Sequence, residues 1–337
     1  MKRIAINGFG RIGRCVLRAL TERRAEFDFE VIAINEPADL DTIAYLTRYD
    51  STHGRFPSSV EKTGSGLEVD GTVIHVSHFK DIADLPWQQL NVDLVLECSG
   101  VYSSREEAKR HLQAGARKVL FSQPAYADVD ATIVYGVNDN ELKAANEIVS
   151  NASCTTNGIV PVISCLQKAF GIRAGHITTL HSMMNDQPVI DAYHHTDLRK
   201  TRSASQSLIP VDTQLAKGIE RILPEMLGRF SASAVRVPTT NVSAMELIVQ
   251  LDQNVNRDQV NEVLSEASAG ILNGVLGFSA EPLASCDYNH DRRSGIVDGG
   301  QTAVIGDNLV KVFTWFDNEW GFANRMLEVS DKMLRFG

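Results

Sequence analysis

The sequence has no apolar run of membrane-spanning length and no excess of basic residues, and each absence argues against a class of function. Without such a run, no transmembrane segment is predicted. The chain begins MKRIAINGFG and enters a predicted strand within three residues, so no signal peptide is expected. The net charge of −9 argues against nucleic acid as the main partner, because phosphate binding requires a basic face.

Cysteine is scarce, and its positions are scattered. The five cysteines are Cys15, Cys98, Cys154, Cys165 and Cys286. An odd number at such spacing fits neither a disulfide framework nor a zinc ribbon, and a reduced, cytoplasmic compartment is therefore expected. The adjacent histidines 194 and 195 could suggest a metal, but no third ligand has suitable spacing, so no metal site is predicted.

Strands and helices alternate along the first half of the chain, which is 337 residues long and 43% hydrophobic. Apolar strands are predicted at 2–7, 29–35, 93–100, 118–122 and 131–136, and Asp70-Gly71 is predicted to turn a hairpin over 67–76. This alternation is typical of a parallel, doubly wound sheet, here a Rossmann-type domain over 1–150. From residue 151 the pattern changes to a helix at 155–170 and longer alternating strands, which predicts a second domain of α+β type with a mostly antiparallel sheet.

The segment GFGRIG joins the first strand to the first helix and contains Gly8, Gly10 and Gly13. The first glycine permits a tight turn, the second lets a pyrophosphate approach the backbone, and the third lets the helix pack on the sheet. Glu36 follows the second strand, where a carboxylate can bind a ribose hydroxyl and repel a 2′-phosphate, so NAD is favoured over NADP. The alternative is a glycine turn in a generic α/β unit, with Glu36 a solvated strand end.

Cys154 lies in NASCTTNG, among small polar side chains and immediately before a predicted helix. A helix N-terminus and a nearby imidazole both lower a thiol's pKa, and backbone N–H groups there can stabilise an oxyanion. His181 ends the strand that follows this helix and is the candidate base. The alternatives are an inert cysteine and a surface histidine at a strand end. Together with a dinucleotide site, the pair predicts oxidation of an aldehyde through a thiohemiacetal and a thioester.

Five motifs resemble the glyceraldehyde-3-phosphate dehydrogenase family over nearly the whole chain. They are INGFGRIGR, SNASCTTN, DLRKTR, VRVPTTNVS and WFDNEWGFANR. The resemblance implies a homotetramer, a small phosphorylated aldehyde as substrate, and an NAD-binding domain completed by a C-terminal helix at about 318–337. The catalytic domain would then span 151–317.

The resemblance also implies roles for individual residues. Cys154 matches the nucleophile, and His181 matches the base that activates it. The implied cofactor-binding residues are Gly8, Gly10, Arg11, Ile12, Gly13, Glu36, Lys80, Ser99, Ser122 and Asn318. The implied substrate-binding residues are Ser153, Thr155, Arg199, Asp212, Thr213 and Arg236.

Several positions depart from the glycolytic members of the family. Met184 replaces a threonine that binds the substrate phosphate, and a thioether donates nothing to an anion. Gln214 replaces a glycine at the second anion site, and Asp212 adds a negative charge nearby. Gly158 stands where a second cysteine is common, a change without a functional explanation from sequence. The substrate is therefore expected to differ from the glycolytic one.

Within the family, HSMMNDQ and the segment from IDAYHHTD to VDTQLAKG resemble the erythrose-4-phosphate dehydrogenases of bacteria. That resemblance implies oxidation of D-erythrose 4-phosphate to 4-phosphoerythronate, on the route to pyridoxal phosphate, with water as acyl acceptor. The main alternative is a phosphorylating glyceraldehyde-3-phosphate dehydrogenase with an altered loop. A nucleic-acid-binding protein is disfavoured by the acidic charge, and an NAD-sensing scaffold by the retained nucleophile.

Overall fold

A computed structural model describes residues 1–194 and 197–336 and divides into two compact units. The first unit contains Met1–Ser153 together with the C-terminal residues from Phe322, and the second contains Cys154–Gly321. His195, half of the histidine pair considered above, lies outside the described residues. No helix in the described ranges is long and apolar enough to cross a membrane.

Side-chain caps determine where several of the helices begin. Ser104 and Glu107 form a capping box at the start of the third helix, and Asn256 and Gln259 do the same for the sixth. Asp39 accepts a hydrogen bond from a backbone N–H at the start of the second. The α-helices of the described ranges are α1 (Arg11–Glu22), α2 (Leu40–Arg48), α3 (Arg105–Gln113), α4 (Cys154–Phe170), α5 (Leu215–Ile222), α6 (Arg257–Ala269) and α7 (Trp320–Arg335).

The first unit is built on a mixed sheet whose strand order is β10-β11-β9-β8-β1-β2-β7-β6-β5. Its strands from β10 to β7 pair in parallel, and β7, β6 and β5 pair antiparallel. A separate pair, β3 and β4, is antiparallel. The strands of this unit are β1 (Lys2–Asn7), β2 (Phe29–Asn35), β3 (Tyr49–Asp50), β4 (Gly54–Arg55), β5 (Val60–Thr63), β6 (Gly66–Val69), β7 (Thr72–Ser77), β8 (Leu94–Glu97), β9 (Lys118–Phe121), β10 (Ala131–Thr132) and β11 (Ile148–Ser150).

Two local predictions for this unit have different outcomes. The hairpin at Asp70-Gly71 is confirmed, since both residues have positive φ, 50° and 80°, between β6 and β7. The strand predicted over 131–136 is wrong beyond Thr132. The side chain of Asn138 accepts the N–H of Val134 at 2.8 Å and donates to the carbonyl of Thr132 at 2.9 Å, which closes a turn in place of a strand.

The C-terminal helix packs with the first unit through polar side chains as well as its apolar face. Lys118 of β9 donates from Nζ to the backbone carbonyl of Met333 at 2.8 Å. Arg23, just after α1, donates to Asn324 Oδ1 at 2.8 Å and lies 3.1 Å from the carboxylate of Glu328. These bonds join residues that are between 215 and about 300 positions apart in sequence.

The second unit is built on a mostly antiparallel sheet of order β13-β14-β12-β15-β19-β17-β16, with β18 pairing to β19. Only the pairs β12–β14 and β16–β17 are parallel among its described ladders. The predicted fold class, a doubly wound domain followed by an α+β domain, is therefore confirmed. The strands of this unit are β12 (Ile172–Ser182), β13 (Ile209–Val211), β14 (Phe230–Val237), β15 (Ser243–Leu251), β16 (Leu276–Ser279), β17 (Gly295–Asp298), β18 (Ala303–Ile305) and β19 (Leu309–Phe316).

Helix α4 lies directly on this sheet and is buried along most of its length. The close approach depends on glycine from both sides. A Cβ placed on Gly295 of β17 would lie 2.5 Å from the carbonyl oxygen of Gly158 in α4. A Cβ on Gly158 would lie 2.8 Å from the methyl carbon of Met245. Gly158, which has no explanation from sequence, therefore contributes to this packing, because a side chain there would displace the Met245 methyl group and lie 3.1 Å from the carbonyl oxygen of Ser294.

We predict that Gly295→Ala destabilises the protein by about 1–3 kcal/mol, because the new methyl group overlaps backbone that cannot move aside. Gly64→Ala is the matched control, since no atom lies within 4 Å of its Cβ position and its φ is not positive. Urea unfolding monitored by circular dichroism measures both. Equal midpoints for the two variants would contradict the close helix–sheet contact.

Candidate active site

The nucleophile candidate is the first residue of α4. The chain enters this helix through Ala152, whose φ of 55° is in the left-handed region that a non-glycine residue rarely adopts. The N–H of Ala152 donates to Ser150 Oγ at 3.1 Å, and Asn151 N–H donates to the carbonyl of Phe121. These hydrogen bonds hold the turn that immediately precedes Cys154.

The base candidate is placed by strand pairing. In the parallel ladder between β12 and β14, His181 is directly opposite Arg236. His181 lies near the carboxyl end of β12 and is buried, and the edge of its ring contacts Phe316. Its Nε2 lies 3.7 Å from Cys154 Sγ. The structure therefore brings together the predicted nucleophile, the predicted base and one predicted anion-binding arginine.

The two nearest neighbours of His181 Nδ1 require opposite protonation states. The carbonyl oxygen of Ser182, at 2.8 Å, can only accept a hydrogen bond and needs a proton on Nδ1. The guanidinium Nη1 of Arg236, at 2.6 Å, can only donate and needs a lone pair on Nδ1. A neutral imidazole carries one proton, so the first arrangement leaves Nε2 free to accept the thiol proton. Base function therefore requires the Ser182 partner.

Burial controls the protonation of the pair. It raises the pKa of Cys154 to about 11, although the charge of Arg236 and the helix-start N–H of Thr155 favour the thiolate. Burial, followed by the charge of Arg236, lowers the pKa of His181 to about 4. The expected lowering of the thiol's pKa is therefore wrong, because loss of hydration outweighs the favourable charges. At neutral pH both groups are uncharged, and the thiol must lose its proton as it attacks.

Asn318 is held in one orientation by two hydroxyl groups of the second unit. Ser182 Oγ and Ser243 Oγ donate to its Oδ1 at 2.9 and 2.8 Å. The amide nitrogen is therefore the end of the side chain left to donate elsewhere. The neighbouring Asp317 is buried and accepts backbone N–H groups of Glu319 and residue 320, which begins α7. Ser182, Ser243 and Asp317 lie within the segments HSMMNDQ, VRVPTTNVS and WFDNEWGFANR, but the sequence analysis assigns none of them a role.

The first unit contains a cavity of about 440 Å³ at the carboxyl ends of β1, β2 and β8. Lys80, predicted to bind cofactor, is one of the residues around it. Glu36 is anchored there, with Oε2 accepting the N–H of Phe9 at 2.8 Å. The lining residues are Asn7, Gly8, Gly10, Asn35, Glu36, Pro37, Phe79, Lys80, Ile82, Leu85, Cys98, Ser99, Val101 and Tyr102.

The three loop glycines differ in what surrounds them. Gly8 has a φ of 88°, and a Cβ there would lie 2.5 Å from the Cα of Ser99. A Cβ on Gly13 would lie 2.4 Å from the carbonyl oxygen of Gly8, so this glycine lets α1 approach the loop. The Cβ position of Gly10 has no atom within 4 Å, which leaves its backbone open to a ligand. With the carboxylate of Glu36, these residues fit NAD.

Five predicted cofactor residues are not among those that line this cavity: Arg11, Ile12, Gly13, Ser122 and Asn318. Arg11 forms a two-point ion pair with Asp50, which holds the pKa of that carboxyl well below its usual value against the effect of burial. Ile12 is half-buried on α1. Ser122 follows β9, and its hydroxyl forms a hydrogen bond with the thiol of Cys98. Burial raises the pKa of that thiol to about 12.

Two of the predicted substrate residues, Arg199 and Asp212, are more exposed than Cys154 and His181. Arg199, in the short 3₁₀ helix Leu198–Thr201, and Asp212 are exposed. Thr213 Oγ1 accepts the N–H of Leu215 at 3.2 Å, at the start of α5. Ser153 and Thr155 flank Cys154 and are half-buried.

A buried polar network lies beneath the cavity and was not predicted. Trp87 Nε1 donates to His111 Nδ1 at 3.0 Å, so His111 is neutral and donates from Nε2 to Glu97 at 2.9 Å. Glu97 also accepts from Asn7 Nδ2 at 2.6 Å and from the N–H and hydroxyl of Ser99. Glu97 and His111 are fully buried. The carboxylate therefore fixes two of the residues that line the cavity.

Two family models match most of the chain. The glyceraldehyde 3-phosphate dehydrogenase NAD binding domain matches residues 2–105, and the C-terminal domain of the same enzyme matches residues 153–318. The chain belongs to the glyceraldehyde-3-phosphate dehydrogenase family. This dehydrogenase is an NAD-dependent oxidoreductase acting on a phosphorylated aldehyde, and the predictions of an enzyme and of NAD as cofactor are confirmed.

We predict that alkylation of Cys154 by iodoacetamide keeps accelerating above pH 9, because its thiol pKa is about 11. Arg236→Met removes a charge that favours the thiolate and slows alkylation at pH 8 by about three- to tenfold. Arg173→Met is the control, since it removes the same charge from an exposed ion pair elsewhere on β12. Stopped-time labelling with mass spectrometry gives the rates. If the alkylation rate already reached a plateau by pH 8, burial would not be suppressing the ionisation of the thiol.

We also predict that Glu97→Gln weakens NAD binding by about tenfold or more. Glutamine replaces one accepting oxygen of Glu97 with an NH₂ group, which can only donate. The buried donors that face it then lose their hydrogen bonds, at a cost of about 1–3 kcal/mol. Glu68→Gln is the control because Glu68 is exposed on β6. NAD affinity is measured by calorimetry at a temperature where both variants are folded. Unchanged affinity in a folded Glu97→Gln protein would remove the network from cofactor binding.

Proposed function

We propose that this dehydrogenase oxidises D-erythrose 4-phosphate to 4-phosphoerythronate, in the synthesis of pyridoxal phosphate. The observation that carries the proposal is the thiol–imidazole pair beside Arg236, combined with the altered residues at the neighbouring anion positions. The 3.7 Å separation of Cys154 Sγ and His181 Nε2 supports nucleophilic attack on an aldehyde. Met184 and Gln214 support a substrate other than the glycolytic one.

Oxidation begins when Cys154 attacks the aldehyde carbon. His181 Nε2 takes the thiol proton and returns it to the developing alkoxide, which gives a thiohemiacetal. The N–H groups at the start of α4 stabilise the oxyanion as it forms. NAD, when bound, accepts the hydride that this carbon loses, and Asn318 would hold its carboxamide through the free amide nitrogen. His181 then accepts the hydroxyl proton, and a thioester on Cys154 results.

The anionic end of the substrate is proposed to bind Arg236 and Arg199, with Ser153, Thr155 and Thr213 donating hydroxyl groups. Met184 is 46% exposed, so its thioether presents an uncharged surface at the position where the glycolytic members have a phosphate-binding threonine. Gln214 begins α5 as its N-cap without a side-chain capping bond. These replacements support weak binding of a second anion, with water as the acyl acceptor.

The phosphorylating reaction is the second candidate, and two observations favour it. Arg236, Arg199 and Thr213 remain available to bind inorganic phosphate. Asp212 is exposed, so water screens the repulsion that this carboxylate was expected to exert on a second anion. Exclusion of inorganic phosphate therefore requires a negative charge other than that of Asp212.

We further propose that the enzyme assembles as a homotetramer in a reducing, cytoplasmic compartment. Along β15 the buried Met245, Leu247 and Val249 alternate with more exposed residues, including Ile248, so this strand presents one covered and one open face. Leu180 of β12 is also 36% exposed, and open apolar positions of this kind support subunit association. None of the five cysteines, all of which lie in the described ranges, forms a disulfide, and this supports a reducing environment.

We predict NADH formation from D-erythrose 4-phosphate without added phosphate, with the free acid as product. The reason is that hydrolysis needs only water at the thioester. Absorbance at the NADH band gives the rate, and phosphorus NMR identifies the product. Glyceraldehyde 3-phosphate is assayed in parallel, with and without phosphate. Cys154→Ala is the blank, because it removes the thioester while leaving NAD binding measurable. Strict phosphate dependence with an acyl phosphate product would establish the second candidate instead.

A further inference from the structure

The segment after β12 folds back beside the end of β14. The N–H of Met183 donates to the carbonyl of Thr239 at 3.0 Å, two residues beyond the last residue of β14. The N–H of Met184 then donates to Gln187 Oε1 at 3.1 Å, which closes a tight turn. Asp186 lies in this turn. The chain thus places a carboxylate next to the strand end that carries Arg236.

Asp186 is paired with a base from the following loop. Lys200 Nζ lies 2.8 Å from its Oδ2, and the two side chains are 23% and 38% exposed. Although burial raises the pKa of Asp186, the hydrogen bond from Lys200 and the charge of Arg236 hold it below its usual value. Its charge acts in turn on Arg236 and His181. The hydrogen bond from Met183 to Thr239 and the ion pair with Lys200 thus hold the Asp186 carboxylate beside the end of β14, where its charge opposes that of Arg236.

We propose that the Asp186–Lys200 ion pair sets the anion affinity of the Arg236 site and is a specificity-determining element of this enzyme. The inference rests on the proposed function, in which this site takes an anionic substrate. Asp186 partly cancels the charge of Arg236, and Lys200 partly cancels Asp186. The site therefore keeps enough positive charge for a substrate phosphate tethered to Cys154, while free inorganic phosphate binds weakly.

A second ion pair in the same loop provides a comparison for the Asp186–Lys200 pair. Arg202 Nε lies 2.9 Å from Asp191 Oδ2, with side chains 65% and 60% exposed. A unit charge removed from Asp191 changes the net charge of the protein as much as one removed from Asp186. The Asp191 pair is more exposed to water, and its charges are not among those that act on His181 or Arg236.

The proposal predicts opposite effects for the two partners. Asp186→Asn leaves Arg236 and Lys200 uncompensated and should tighten binding of an inorganic dianion by about five- to tenfold. Lys200→Met leaves Asp186 uncompensated and should weaken binding by a similar factor. Asp191→Asn should leave the affinity unchanged. A general effect of net charge would instead move both aspartate variants equally.

The probe is sulfate, a tetrahedral dianion that cannot accept an acyl group. Its dissociation constant is obtained from the rise in melting temperature with sulfate, against sodium chloride at matched ionic strength. Protection of Cys154 from iodoacetamide localises the bound sulfate. Melting temperatures without sulfate report whether each variant is folded, and Asn is nearly isosteric with Asp.

We expect Asp186→Asn to bind sulfate more tightly than wild type and Lys200→Met to bind it more weakly. Asp191→Asn should bind sulfate as wild type does. Equal tightening in both aspartate variants, or no loss in Lys200→Met, overturns the proposal. Phosphate-independent product release tests the proposed function, whereas sulfate binding tests the ion pair. Either can therefore fail while the other stands.

Discussion

The parallel pairing of β12 with β14 is the constraint on which the chemistry of the second unit depends. One ladder sets His181 opposite Arg236, and the next residue of β12, Ser182, supplies both a carbonyl for the imidazole and a hydroxyl for Asn318. A slip of one residue would turn His181 to the opposite face of the sheet. Because β12 is also paired to β15 over most of its length, such a slip would break two ladders at once.

The first unit relies on a different kind of interaction, a buried carboxylate surrounded by donors. Glu97 is fully enclosed, and such a charge is tolerated only when its oxygens are saturated with hydrogen bonds. Asn7, Ser99 and His111 donate hydrogen bonds to the Glu97 carboxylate. Trp87 contributes indirectly, because it donates to His111. The same bonds that compensate the charge also hold Asn7 and Ser99, which line the cavity that fits NAD, so the stability of the unit and the shape of this cavity are linked.

Much of the architecture could be predicted because it depends on local pattern. Positive φ at Asp70 and Gly71 follows from turn chemistry, and the change from helix-separated to alternating strands at residue 151 marks the change of sheet type. The protonation of Cys154 could not be predicted, since burial is a property of the whole unit and reverses the effect of the helix start. The ion pair of Asp186 was missed for a similar reason, because it depends on how two loop segments fold.

The glycine at position 158 affects what happens to the enzyme under oxidative stress. A cysteine oxidised to sulfenic acid is recovered most readily by condensation with a neighbouring thiol. Position 158 is one helical turn beyond Cys154, and glycine there provides no thiol. The methyl group of Met245 lies 2.8 Å from the position that its Cβ would occupy. The next thiol on α4 is Cys165, eleven residues on and about 16 Å along the helix axis. An oxidised Cys154 therefore has no resolving thiol within reach on its own helix.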